Sequence, residues 1–192
     1  MTDKQWQRVL WIAISLYCIF AILQIAQNPG LECDEALFAV GTVHMLHLPH
    51  RELTLPHDPD TWIHVFKRWF PLMTVRYVGA IKEYLFLPIF KIFGPLTSLI
   101  RLVCTFLGAI GIWGMAKLLR RHIGVRVAAA FALLLAINPS YVDFTAFDNG
   151  ALAISMATLG LLCLALSNYL ARKTVGAAFI VGAAAGLRQR PA

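Results

Sequence analysis

The sequence predicts an all-α polytopic membrane protein, with about four to five transmembrane helices and amphipathic juxtamembrane helices in a long first outer loop. Three observations carry this. Hydrophobic residues fill 59% of the 192 positions and charged residues only 14%, a balance rare in soluble domains. The apolar residues fall in long runs and mean hydropathy is +0.68, as expected of spans rather than of one buried core. The charges also sort by side of the predicted membrane, bases at one set of run ends and acids at the other. The formal charge of +7 does not argue for nucleic acid, because the bases flank apolar runs where topology explains them.

The first run, 9–26, follows Lys4 and Arg8. As a helix it would be about 27 Å long, enough to cross. A signal peptide is the rival reading, but no small-x-small cleavage site follows, so the run reads as a retained helix. The first outer loop occupies 28–95. Within it, 36–48 reads as an amphipathic helix carrying His44 and His47, and Asp58-Pro59-Asp60 reads as a turn. The stretch 62–70 mixes Trp62, Phe66, Trp69 and Phe70 with Lys67 and Arg68, which suits the headgroup region. Residues 83–93 are apolar but short and interrupted by Pro88, so they read as a juxtamembrane helix, with a short span as the alternative.

The second span is 96–116, with Arg101 near its outer end. The third is 127–141, closed by Asn138-Pro139, and the fourth is 150–170, which carries no charge. A fifth run, 175–187, is short, and Arg188 and Arg190 would finish on the outer side if it crossed; the expectation is an incomplete fifth helix within an N-terminal portion of a larger fold. Bases cluster at Lys4 and Arg8, at 117–126, and at Arg172 and Lys173, all on one side of this up-down path. The positive-inside rule assigns that side to the cytoplasm. All acids except Asp3 fall on the other side. The expected location is therefore the inner (plasma) membrane, multi-pass, with a cytoplasmic N-terminus and outward acidic loops.

Four constellations could carry chemistry. Glu32, Asp34 and Glu35 crowd the exit of the first span. A carboxylate at a membrane boundary can act as general base, or Asp34 can simply cap a helix beginning at 35 or 36. Asp143 and Asp148 precede the fourth span, where Asp148 could again be a cap. Arg76, Lys82, Lys91 and Arg101 could hold a phosphate or meet headgroups by snorkelling. His44, His47, His50, His57 and His64 lack any fixed ligand spacing, so a metal is not assigned and interfacial histidines are the plainer reading. The cysteines Cys18, Cys33, Cys104 and Cys163 form no CxxC and read as small apolar residues. There is no Gly-rich phosphate loop, no HExxH, no Gly-x-Ser-x-Gly and no internal repeat.

The order of these features resembles a known family. An Asp-Glu pair opens the outer loop, Tyr77-Val78-Gly79-Ala80-Ile81-Lys82 leads into the apolar stretch 84–94, Arg101 begins a helix, and Asn138-Pro139 is followed by a lone Asp148 before the next span. This looks like the N-terminal part of GT-C glycosyltransferases, which include protein O-mannosyltransferases and the lipid-A aminoarabinose transferase. The resemblance implies a polyprenyl-phosphate-linked sugar donor, used at the outer face of the membrane. It implies Asp34 as the base that deprotonates the acceptor, with inversion at the anomeric carbon, and Glu35 as its companion. Asp148 matches the second acidic position, which in some relatives helps hold a divalent cation or orient the acceptor. Lys82, with Arg76 and Arg101 as further cations, matches the donor phosphate. Two other classes stay open beside the transferase: a non-catalytic membrane protein or gene remnant, and a small transporter in which Asp34, Glu35 and Asp148 relay protons.

Overall fold

The structure, a computed structural model of the 192-residue chain, describes residues 1–28, 30–47, 62–65, 68–75, 78–147 and 151–186. It divides into two units, one of residues 1–29 and 101–188 and one built on 30–100.

The first unit is a bundle of helices. Its α1 (Asp3–Gln27) begins six residues before the apolar run, because Thr2 and Gln5 form a capping box: each side chain takes the other's backbone N–H. The helix α4 (Thr97–His122) outlasts its expected end, and its last turn carries Arg120, Arg121 and His122, cations that favour a helix C-terminus. The expected third span is two helices, α5 (Val125–Ala136) and α6 (Pro139–Ala146), bent by 62°. Asn138 and Pro139 do not close the span; they start α6. The Asn138 side chain accepts from the Tyr141 N–H at 3.0 Å, while Pro139 takes a first-turn position where its missing N–H costs nothing. Asp143 therefore lies on α6, exposed, rather than in a loop. The helices α7 (Leu152–Arg172) and α8 (Val175–Gly186) complete the unit. Among the described residues three helices (α1, α4 and α7) are long and apolar enough to cross a membrane, or up to four if the bent pair is one span.

Packing in this unit relies on small residues. On α1, Trp6, Leu10, Ala13, Tyr17 and Ala21 form one buried stripe at helical spacing, packed with Ala128, Ala132 and Ala136 of α5 in a single core cluster. On the opposite side of α1, Ile12 and Ile19 stay exposed, as a lipid-facing surface would. Where α4 meets α7 the backbones touch. A Cβ on Gly114 would lie 2.1 Å from the Gly160 carbonyl oxygen, and one on Gly160 would lie 2.6 Å from that of Ile110. Two buried tyrosine hydroxyls are paired: Tyr17 with Thr145 at 2.7 Å, and Tyr141 donating to the Gly108 carbonyl at 2.7 Å. This satisfies groups that would otherwise be costly in hydrocarbon.

The second unit contains α2 (Cys33–His47), two hairpins and α3 (Ile81–Phe93). Antiparallel β1 (Trp62–Val65) pairs with β2 (Arg68–Pro71), and β3 (Met73–Val75) with β4 (Val78–Gly79). The described residues of the aromatic and basic stretch expected in the headgroup region thus form strands at 62–65 and 68–70, which aromatic and β-branched residues favour. At 13 residues, α3 is about 20 Å long and too short to span. It is tied to β2 by the Tyr84 hydroxyl, which donates to the Pro71 carbonyl at 2.7 Å. The expected turn at 58–60 and the end of the chain beyond 186 lie outside the described residues.

Candidate active site

The Asp-Glu pair falls in the first turn of α2, which starts earlier than expected. Glu35 Oε2 accepts from the Glu32 N–H at 3.0 Å, and the Ala36 N–H reaches the Glu32 carbonyl at 3.0 Å. Glu32 thus stands at the helix entry, and Glu35 supplies the backward half of a capping box. The capping task falls to Glu35, which is fully buried, and not to half-buried Asp34. Both carboxylates benefit from the positive end of the helix.

The first turn of α3 brings a second charged pair. Lys82 and Glu83 retain 1% exposure each. Glu83 was not a sequence candidate, although an acid leading an apolar helix was a usable signal. The Thr42 hydroxyl donates to the Glu83 carbonyl at 2.8 Å, joining α2 to α3. Gly41 is needed beside it: a Cβ there would come within 1.7 Å of Glu83 Oε2, so the carboxylate occupies the space a side chain would take. Buried charges are tolerated only when paired, and none of Asp34, Glu35, Lys82 and Glu83 lacks a partner.

The unit also holds an apolar pocket of about 380 Å³, lined by Leu31, Ala39, Val43 and His44 of the α2 region and by Pro95 and Ile100. The His44 ring lies 4.9 Å from that of Trp62. Burial pushes the His44 pKa below its ordinary value of 6.5, so its neutral form is favoured when folded. The stability this contributes is fully present above the unfolded pKa and is lost as pH falls through the folded one. Trp62 packing is therefore expected to loosen as pH falls below the ordinary histidine range, seen as a fluorescence change that His44→Phe abolishes.

In the other unit, Arg101 is buried rather than snorkelling. Its guanidinium donates to the Asn28 carbonyl beyond the end of α1 and lies 4.5 Å from the Phe147 ring centroid. Asp148 and Arg76 lie outside the described residues. Asp34, Glu35 and Lys82 thus share one unit, while Arg101 belongs to the other. Among the described residues no group of three or more His, Cys, Asp or Glu could hold a metal ion.

Apolar helices of spanning length define an integral-membrane protein. Residues 81–188 match the dolichyl-phosphate-mannose-protein mannosyltransferase family. That is more than half of the chain, and the chain belongs to this family. No curated protein and no solved structure gives a significant match. The matched stretch takes in Lys82, Glu83, Arg101 and Asp148; Asp34, Glu35 and Arg76 precede it.

Proposed function

We propose that the chain forms part of an integral-membrane glycosyltransferase that moves a sugar from a polyprenyl-phosphate donor to an acceptor at the outer face. The observation that carries this is the family match beginning at α3, where Lys82 sits in the same unit as Asp34. Asp34 takes the proton of the acceptor nucleophile as that atom attacks the anomeric carbon. The bond from that carbon to the phosphate oxygen breaks with inversion, and the lipid phosphate leaves with the electron pair. Lys82, aided by Arg76, offsets the charge gathering on the phosphate; in a low-dielectric site such stabilisation is large. Glu35 holds the first turn of α2 and so positions Asp34. The apolar pocket beside α2 suits the first isoprene units of the donor. The N-terminus and the basic run ends face the cytoplasm in this scheme.

Lys82→Met tests the reading. Losing a charge-assisted contact of roughly 1.5–3 kcal/mol raises the donor KM about ten- to a hundredfold, measured with a labelled polyprenyl-phosphate sugar in reconstituted membranes. An unchanged donor dependence would remove Lys82 from the phosphate site. A second reading, a family member without turnover, is favoured by the match starting after Asp34; it predicts donor binding with no transfer.

A further inference from the structure

The first unit carries a groove that the transfer chemistry does not use. It has a volume of about 470 Å³ and runs between α1 and α4, lined by Trp11, Cys18 and Ile22 on one helix and by Leu102, Phe106 and Trp113 on the other. Its walls are almost wholly apolar, and Trp11 and Phe106 are among the most exposed large side chains of the two helices. From Leu102 to Trp113 the helix rises about 16 Å, close to half of a hydrocarbon core of roughly 30 Å. The groove therefore has the length of one leaflet.

One end of the groove is cationic. Positions 102, 106, 109, 113 and 117 follow one stripe of α4, so Lys117 extends the groove past Trp113. Its ammonium lies 4.3 Å from the Trp113 ring centroid, and the side chain is exposed. On α1 the stripe of Trp11, Cys18 and Ile22 continues back through exposed Arg8 and Lys4. The two helices run antiparallel, since Asp3 and Trp6 at the start of α1 meet Arg120 near the end of α4. Lys4, Arg8 and Lys117 thus stand at the same end. Asp3, the acid there, is already bound to Arg120.

From this match of an apolar slot with a cationic mouth, we infer that the α1–α4 groove binds an anionic phospholipid of the leaflet on the basic side. One acyl chain lies along Trp113, Phe106 and Leu102, and the headgroup phosphate sits among Lys4, Arg8 and Lys117. The site is distinct from the donor site, because its mouth opens at the end of the unit away from Arg101. Charge complementarity selects a lipid over a helix from another protein as occupant. Thr105, whose buried hydroxyl has no hydrogen-bond partner, also lines the groove and is where a helix would instead form a polar contact.

The full chain would be reconstituted into vesicles holding equal amounts of phosphatidylglycerol and phosphatidylcholine, extracted in mild detergent, and its retained lipid quantified by mass spectrometry. Phosphatidylglycerol should be enriched, and the triple variant Lys4→Gln, Arg8→Gln, Lys117→Gln should lose roughly fivefold of the preference for each charge removed. Cys18→Trp, which fills the groove and keeps the charges, should lower total retention; Thr105→Val should change neither. Equal retention of both lipids, or an unaffected triple variant, overturns the proposal. So does loss of binding on Thr105→Val, which would assign the groove to a helix, or displacement of the lipid by a stoichiometric amount of polyprenyl phosphate, which would assign it to the donor.

Discussion

Asp34→Asn should lower kcat by roughly a hundred- to ten-thousandfold, the range lost when a positioned general base is removed. The donor KM should hardly move, because the amide keeps the size of the carboxylate and the phosphate contacts lie on other residues. Glu35→Gln is the informative contrast. Its side-chain oxygen can still accept from the Glu32 N–H, so the loss is expected in stability, about 1 kcal/mol or less as for other caps, and only weakly in kcat. Reconstituted wild type and both variants, assayed at saturating donor with acceptor varied, separate the two roles. Equal turnover in Asp34→Asn and wild type removes Asp34 as base. A loss in Glu35→Gln equal to that in Asp34→Asn assigns the pair, rather than Asp34, to the chemistry.

Gly160→Leu is expected to cause the largest loss of stability. The obstruction is backbone: the new Cβ would meet the Ile110 carbonyl oxygen at 2.6 Å and the Gly111 Cα at 2.9 Å. A carbonyl inside a helix cannot swing aside as a flexible side chain can, so α4 and α7 must separate. Overpacking of this kind costs about 3 kcal/mol or more, and for a chain of this size that lowers the melting temperature by roughly 10 °C. The control is Gly182→Leu on α8, where a Cβ meets nothing within 4 Å; its melting temperature should match that of wild type. Thermal unfolding in detergent, followed by retention on size exclusion, compares the two.

What could be read from the chain follows from how local each signal is. Apolar runs report membrane character directly, and the spans beginning near 9, 96 and 150 correspond to α1, α4 and α7. The start of α1 escaped hydropathy because Thr2 and Gln5 are polar, although the Thr-x-x-Gln spacing is itself a capping signature. The α5–α6 bend was half legible: Asn138-Pro139 marks a break, but whether a new helix follows depends on Tyr141, Val142 and Ala146 finding the core. The strands β1 to β4 left no clear trace, because aromatics mixed with bases signal an environment and not a backbone conformation. Contacts across the chain left no local trace at all. Nothing near Gly114 points to Gly160, and nothing near Gly41 announces the Glu83 carboxylate beside it. Asp34 was legible as a candidate, while the division of labour that assigns the cap to Glu35 required the helix to begin at Cys33.

The central claim is that the unit containing α2 and α3 receives a polyprenyl-phosphate sugar, and photolabelling tests it most directly. A donor carrying a photoreactive group beside its phosphate would be incubated with the reconstituted chain, irradiated, and the adducts mapped by mass spectrometry. The account predicts adducts on the segments bearing Asp34 and Lys82, competed away by unmodified donor and weakened by Lys82→Met. Adducts confined to residues outside 30–100, or labelling that unmodified donor does not compete, would contradict it.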